Sequence, residues 1–324
     1  MADFDLFNGD ADGIFSLIQL RQRDPRPDAE RVTGVKRDIK LFGRIADRVK
    51  PGDRVTALDI SMAKNTAPLT RVLETGAEVF YCDHHQTGDV PDSDRLTVLT
   101  SDARETCTAF LIDGYLRGTG SAWAVCGAYG DNFGGLAERI AKARGLDVPM
   151  GRLRELGELV NYNAYGLSLD DLHFDPGVLY ATLLDYPDPV AFLDAGTDTY
   201  RTLKDGYDSD WEVAQSAREI SVSDTGQVLS LPARAASNRI SGLFGNALVD
   251  EEPDKAFAIL TELPSERDAE YRVSIRAPRS RAAGSASELA AQFGGGGRAA
   301  AAGVDRLSDR DLARFVDAFH STFA

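Results

Sequence analysis

The sequence predicts an α/β protein with a doubly wound parallel sheet in an N-terminal domain and a second, smaller α/β domain at the C-terminal end. In the first half, short β-rich runs alternate with segments of helical periodicity, which is typical of parallel sheets with crossover helices. Strand-like runs return after Asp224, following a mostly helical stretch. These observations predict a first domain at 1–190, a linker with a connecting helix at 191–223 and a second domain at 224–324.

The elements of the first domain follow from the apolar periodicity of each segment. The predicted strands are Asp3–Phe7, Arg31–Val35, Arg54–Ile60, Ala77–Cys82 and Arg95–Leu99. The predicted helices are Ile14–Arg23, Leu41–Val49, Ala67–Glu74, Glu105–Arg117, Ala122–Tyr129, Leu136–Arg144, Arg152–Tyr165 and Val178–Leu184.

The second domain has fewer predicted elements. A connecting helix is expected at Trp211–Ile220, and the tail Asp309–Phe323 has the pattern of an amphipathic helix. Between them, strands are predicted at Gln227–Leu231, Ala256–Thr261 and Tyr271–Arg276.

A glycine-rich loop lies near the end of the chain. Gly294, Gly295, Gly296 and Gly297 would let a ligand approach the backbone closely, and the alanine-rich run after them is expected to start a helix whose N-terminus favours an anion. A flexible linker is the alternative. From Tyr271 to Arg298 the only acidic residue is Glu288. The arginines of this stretch are Arg272, Arg276, Arg279, Arg281 and Arg298. Of these, Arg276 and Arg298 are the expected contacts to a small anionic substrate.

Composition restricts the partners and the compartment. The formal net charge is −15, so the chain repels long polyanions and a long nucleic-acid duplex is disfavoured. No run approaches the ~20 apolar residues of a membrane span, and the acidic N-terminus predicts no signal peptide. The three cysteines have no CxxC spacing, which favours the cytoplasm. The oligomeric state stays open, a homodimer included.

Carboxylates and imidazoles follow several predicted strands at their carboxyl ends, where open α/β sheets bind ligands. Asp10 and Asp12 follow the first strand and are two residues apart, so their carboxylates can face two different ions. Asp59, at the end of a neighbouring strand, could bridge both ions. His84 adds a nitrogen donor, which favours manganese, iron, cobalt or zinc over magnesium alone. Asp131 follows a later helix. Two ions ~3.5–4 Å apart would activate a bridging hydroxide for attack on phosphorus.

The same residues allow simpler interpretations. Asn8-x-Asp10-x-Asp12-Gly13 is similar to the first half of a calcium-binding EF-hand loop, but Gln19 stands at the twelfth position and the run follows a strand. Asp131 alone could equally be a turn or capping residue. The occurrence of four motifs in one order favours the metal site.

That order resembles the DHH phosphoesterase family, which includes RecJ-type exonucleases, nano-RNases, cyclic-dinucleotide phosphodiesterases and type II pyrophosphatases. The matching motifs are Asn-Gly-Asp-Ala-Asp-Gly, Leu-Asp-Ile-Ser, Asp-His-His and Gly-Asp-Asn, and Gly294–Gly303 is similar to the family's C-terminal glycine loop. The resemblance implies two divalent ions, manganese first and magnesium or cobalt as alternatives. It implies that His85 and Asp59 serve catalysis and that the metal ligands are Asp10, Asp12, Asp59, His84 and Asp131.

The chain departs from the family pattern at two positions. Many members carry a metal-binding His four residues before the first aspartate, where this chain has Leu6, and Asn8 is the expected substitute ligand. Arg298 stands where His is usual, and arginine still recognises phosphate well.

The expected function is hydrolysis of a small phosphorylated substrate by a metal-bridging hydroxide. A short oligonucleotide, a linear dinucleotide or a 3′-phosphonucleotide would bind in a cleft between the domains. The alternatives are an exopolyphosphatase or pyrophosphatase, and a non-catalytic nucleotide-binding sensor, which the loss of a metal ligand at Leu6 would favour.

Overall fold

The structure is a computed structural model that describes residues 1–101, 103, 105–264, 269–280 and 284–324. The chain divides into two compact units, Met1–Lys204 and Asp205–Ala324. No helix among the described residues is long and apolar enough to cross a membrane.

The first unit is built on a five-stranded, all-parallel sheet with the strand order β2-β1-β3-β4-β5. Its strands are β1 (Asp3–Phe7), β2 (Glu30–Val32), β3 (Arg54–Leu58), β4 (Glu78–Asp83) and β5 (Leu96–Thr100). Its helices are α1 (Ala11–Arg23), α2 (Thr66–Glu74), α3 (Thr108–Tyr115), α4 (Ser121–Gly130), α5 (Gly134–Arg144), α6 (Met150–Asn163), α7 (Pro176–Leu184) and α8 (Pro189–Asp194). Short 3₁₀ helices occur at Leu41–Arg44, Met62–Lys64 and Leu169–Asp171.

Both faces of this sheet are covered, as a doubly wound parallel sheet requires. On one face, Leu6 and Ala57 belong to an apolar core that also contains residues of α2 and of the first 3₁₀ helix. On the other face, Arg21 of α1 donates to both oxygens of Asp5, at 2.9 and 2.5 Å, and to the hydroxyl of Thr56. Side chains alternate between the faces along each strand, so these two sets of contacts fix the register.

The second unit contains a six-stranded mixed sheet with the order β10-β11-β9-β8-β7-β6, in which only β7 and β8 pair in parallel. Helix α9 (Asp198–Gln215) includes the point where the chain passes from one unit to the other. The elements that follow are β6 (Arg218–Val222), β7 (Gly226–Leu231), α10 (Ala235–Glu251), β8 (Ala256–Leu263), β9 (Glu270–Arg276), α11 (Ala286–Ala291), β10 (Gly296–Gly297), β11 (Ala301–Ser308) and α12 (Asp309–Thr322).

The predicted α/β fold class is confirmed, but some elements differ from the sequence prediction. The connecting helix expected at Trp211–Ile220 ends at Gln215 in the structure, and Ile220 lies in β6. Helix α10 was not predicted. The alanine-rich run expected to start a helix instead forms a bend at Ala299 and Ala300 and enters β11 at Ala301 and Ala302, which pair with β9 and β10.

Candidate metal centre

Three neighbouring strands deliver polar side chains to one edge of the first sheet. Strands β1, β3 and β4 are adjacent and parallel, so their carboxyl ends lie together. The backbone N–H of Asn8 donates to the carbonyl oxygen of Leu58 at 3.2 Å, which continues the pairing of β1 with β3 beyond the end of β1. The segments that carry Asp10, Asp59 and His84 therefore meet at this edge.

The turn after β1 requires glycine at two positions. A Cβ on Gly9 would lie 1.9 Å from the carbonyl oxygen of Gly34, and one on Gly13 would lie 2.1 Å from that of Asn8. Asp10 caps α1 by accepting a hydrogen bond from the N–H of Gly13 at 3.1 Å. This close packing holds the Asp10 carboxylate at the helix N-terminus.

Asp12 is fully buried and held by the start of α3. One of its carboxylate oxygens accepts from the N–H of Thr108 and the other from that of Ala109, both at 2.7 Å. A carboxylate is stabilised at this position by the unpaired N–H groups of the helix N-terminus. Each oxygen keeps a further lone pair for a second partner.

Asp59 has a backbone conformation that is rare outside glycine, with φ of +57°. Such a conformation costs ~1–3 kcal/mol and is concentrated at functional sites. Its Oδ1 accepts from the hydroxyl of Thr108 at 3.1 Å and lies 3.5 Å from Nε2 of His84. The strained turn thus aims the carboxylate into the cluster.

His84 brings the carboxylates together around one nitrogen. Its Nε2 lies 3.4 Å from Oδ2 of Asp131, 3.5 Å from Oδ1 of Asp59 and 3.9 Å from Oδ2 of Asp12. Ligand atoms of Asp12, His84 and Asp131 all lie within 4.8 Å of one another. The same holds for Asp59, His84 and His85.

Asp83 orients His85. Its Oδ1 lies 2.7 Å from Nδ1 of His85, and its side chain is fully buried at the end of β4. Burial works against a charged imidazole, but the hydrogen bond and the charge of Asp83 outweigh it and raise the pKa of His85. The partly exposed imidazole therefore holds a proton at a higher pH than an ordinary histidine does.

The clustered carboxyl groups fit a divalent cation. Burial raises the pKa of Asp12 to about 6, and the charge of Asp131 adds to the rise. Burial also raises the pKa of Asp59 well above its usual range, together with the charges of Asp12 and Asp10. A bound cation would relieve this repulsion, and oxygen with imidazole donors suits manganese, iron, cobalt or zinc.

Lys36 enters the same cluster, which the sequence did not predict. Its Nζ lies 2.5 Å from Oδ2 of Asp10, 3.0 Å from Oδ1 of Asn161 and 3.3 Å from Oδ1 of Asp131. Burial opposes the charge of Lys36, but the carboxylates of Asp10 and Asp131 and the ring of Tyr165 hold the pKa of its ammonium well above the usual range. The same contact lowers the pKa of Asp10 against the effect of burial.

Asn8 lies next to this lysine. Its Nδ2 donates to the backbone carbonyl of Lys36 at 3.4 Å. Its Oδ1 is buried and has no hydrogen-bond donor among the described residues. An unpaired buried acceptor is compatible with a ligand role, so the assignment of Asn8 to the metal stays a prediction.

In the second unit, the Arg276 guanidinium is held by its own protein environment. Its N–H groups donate to Oδ1 of Asn246 at 2.6 Å, to Gly242 O and Ser274 Oγ at 3.0 Å, and to the backbone carbonyl of Ile275. A ligand would have to share these donors, so substrate binding by Arg276 stays a prediction.

The other arginines of this stretch differ in their surroundings. Arg272 donates to Asn238, and Arg279 pairs with Asp250. Arg298 is exposed, and its side chain forms no hydrogen bond or ion pair with the part of the chain that the structure describes. Arg281 lies outside the described residues.

The glycine loop is a tight hairpin rather than a flexible linker. Gly296 and Gly297 form β10, and a Cβ on Gly297 would lie 2.5 Å from Cα of Ala302. The N–H groups of Gly294 and Gly295 already donate to carbonyl oxygens at the end of α11. The loop thus presents Arg298 on a defined turn, while substrate contacts by Gly295, Gly296 and Gly297 stay predictions.

Comparison with known proteins identifies the fold. No protein-family model and no curated protein sequence matches the chain. A manganese-bound RecJ exonuclease superposes with a TM-score of 0.63 at 16% identity, over 99% of this chain and 89% of that one. The chain has the fold of the DHH phosphoesterases.

Two further structures have the same DHH fold. The pGpG-specific phosphodiesterase PggH of Vibrio cholerae superposes with a TM-score of 0.61 at 15% identity, over 100% of this chain and 99% of that one. RecJ of Thermus thermophilus in complex with Mn²⁺ gives 0.58 at 14% identity, over 99% of this chain and 51% of that one. The resemblance indicated by the sequence motifs is therefore confirmed at the level of the fold.

Proposed function

We propose that this chain is a divalent-metal-dependent hydrolase of phosphate esters. The observation that carries the proposal is the meeting of Asp12, Asp59, Asp131 and His84 around one point at the carboxyl edge of a DHH-type sheet. A bound ion would supply Lewis-acid stabilisation of the phosphoryl oxygens and acidify water. Manganese is the proposed ion, in line with the manganese present in two of the RecJ structures that share the fold.

His85 is the proposed proton donor. Its Nδ1 is held by Asp83, so its other ring nitrogen is left for the substrate. Because its pKa is raised, the imidazole keeps its proton to a higher pH than an ordinary histidine, and in that form it can stabilise phosphoryl charge or protonate the leaving oxygen. Asp83 acts as a positioning residue through this contact.

The proposed substrate is small: a short oligonucleotide, a linear dinucleotide or a 3′-phosphonucleotide. The net charge of −15 disfavours long polyanions. The exposed Arg298 offers a bidentate contact for one phosphate. PggH, which shares the fold, is described as specific for pGpG, and that supports a linear dinucleotide as the first substrate to test.

A cytoplasmic location is proposed with this function. The three cysteines Cys82, Cys107 and Cys126 are all buried and unpaired. Disulfide-free cores of this kind are usual in reducing compartments.

Phosphate or nucleotide release tests the proposal, with Mn²⁺ present and a panel of a linear dinucleotide, a 3′-phosphonucleotide, pyrophosphate and polyphosphate. We expect release from a nucleotide substrate, and a loss on the order of 10²-fold or more in Asp59→Asn, since that change removes a ligand charge. Asparagine tolerates the positive φ of Asp59, so the variant should keep its fold.

Asp89→Asn, at an exposed position, is the matched control and should retain full activity. Release from polyphosphate or pyrophosphate alone would favour the phosphatase alternative. Silence across the panel with Mn²⁺ bound would favour a non-catalytic sensor.

A further inference from the structure

Lys36 lies beside Asp10, where the resemblance to the DHH phosphoesterases implies a metal ion. The inference drawn from this position rests on the proposed function. We propose that the ammonium group of Lys36 takes the place of one of the two metal ions, so that the centre binds a single divalent ion through Asp12, Asp59, His84 and Asp131. Three observations support this assignment: the donors missing on the Asp10 side, the way in which Lys36 is held, and the carboxylates that it leaves uncompensated.

The Asp10 side of the cluster is poor in metal donors. Leu6, at the position where many family members carry a metal-binding histidine, is an apolar residue buried in the core under the sheet. Asp10 uses one oxygen to cap α1 and the other to contact Lys36. An ion on either oxygen of Asp10 would lie close to this ammonium group, and two neighbouring cations repel each other.

Lys36 is held at its backbone and at its ammonium group. Its backbone N–H donates to the carbonyl oxygen of Ala164 at 2.9 Å, and its own carbonyl accepts from Asn8. The ring of Tyr165 lies 5.5 Å from Nζ. The three N–H donors of the ammonium match the three oxygen acceptors from Asp10, Asn161 and Asp131. A protonated lysine offers no lone pair to a metal, so it acts as a fixed charge.

Around His84, Lys36 does not balance the negative charge of the carboxylates. Lys36 contacts Asp131 but not Asp12 or Asp59, among the hydrogen bonds and ion pairs of the described residues. Oδ2 of Asp12 and Oδ1 of Asp59 lie 3.9 and 3.5 Å from Nε2 of His84 instead. One divalent ion among Asp12, Asp59, His84 and Asp131 balances this charge without disturbing the lysine.

Metal stoichiometry tests the inference without reference to activity. Mn²⁺ is titrated calorimetrically into the chelator-treated chain, and the electron paramagnetic resonance spectrum of the bound ion is recorded. We expect one ion per chain with the spectrum of an isolated Mn²⁺. Two ions with a spin-coupled spectrum would overturn the inference, whereas no bound ion would overturn the proposed function as well.

Three variants separate the role of the charge from that of the side-chain volume. Lys36→Met frees the oxygens of Asp10, Asn161 and Asp131 that the ammonium occupies, so it is expected to raise the count from one to two ions per chain. Lys36→Arg keeps the charge and should retain one. Lys40→Met, at an exposed lysine nearby, is the matched control and should also retain one. A folded Lys36→Met chain that still binds only one ion would contradict the assignment, and so would a second ion in Lys36→Arg.

Discussion

At the residue scale, Asp83 links the proposed proton donor to the sheet. It is the last residue of β4, so the strand sets its position, and its contact with His85 sets the position of the imidazole. Lys36 and Thr108 have a similar indirect role, because they contact Asp10 and Asp59. The chemistry of the site thus depends on residues that are not themselves proposed metal ligands.

Asp83→Asn should lower kcat on the order of 10²-fold while Mn²⁺ affinity changes little, because the variant removes the negative charge beside His85 and no proposed metal ligand. Asp83 raises the pKa of His85, so without it that pKa falls. If protonated His85 is the active form, activity is lost as the pH rises through its pKa, and this loss should move to lower pH in the variant.

The pH profile of kcat checks the Asp83 prediction, with Asp89→Asn as the exposed control. An unchanged profile in a folded Asp83→Asn chain would exclude the positioning role of this residue.

At the element scale, the backbone where β1 leads into α1 is packed too closely for a side chain at Gly9 or Gly13. Gly13→Ala places a Cβ 2.1 Å from the carbonyl oxygen of Asn8, so the backbone must move. We expect the free energy of unfolding to fall by about 1–3 kcal/mol, the usual cost of overpacking, with weaker Mn²⁺ binding because Asp10 and Asp12 shift. Urea denaturation and Mn²⁺ titration measure the two effects.

Gly114→Ala is the control for the effect of the added methyl group. Gly114 lies in α3, is exposed and has no atom within 4 Å of an added Cβ. Alanine there should stabilise the helix by roughly 0.5–1 kcal/mol. Equal stability of Gly13→Ala and the wild-type chain would show that the turn is not constrained as described.

At the scale of the whole molecule, the net charge of −15 acts on every polyanionic ligand. Repulsion should grow with substrate length and weaken as salt screens it. The two substrates to compare are a dinucleotide and a single strand about ten times as long, roughly 20 nucleotides. When salt increases from about 0.05 to about 0.5 M, we expect kcat/KM to rise more for the longer strand than for the dinucleotide. A fall with salt for the longer substrate would instead indicate a basic binding surface for single strands.

Several elements show why local pattern and final structure diverge. Ala301 and Ala302 have high helix propensity, but they lie in β11, because pairing with β9 and β10 outweighs that propensity. Helix α10 buries polar residues, among them Arg239, which donates to both oxygens of Asp210. Its apolar residues Ile240, Phe244 and Leu248 recur at helical spacing, but Gly242 and Gly245 between them have low helix propensity, so local propensity and periodicity disagree.

The sequence by itself determined the fold class and the edge of the sheet at which Asp10, Asp59 and His84 meet, because alternating strands and helices bring the carboxyl ends of parallel strands together. Only the tertiary structure placed Lys36 among them. Its ammonium contacts Asp10, Asp131 and Asn161, which are 26, 95 and 125 residues away along the chain. No local pattern encodes such a contact, since it depends on how β1, α4 and α6 pack.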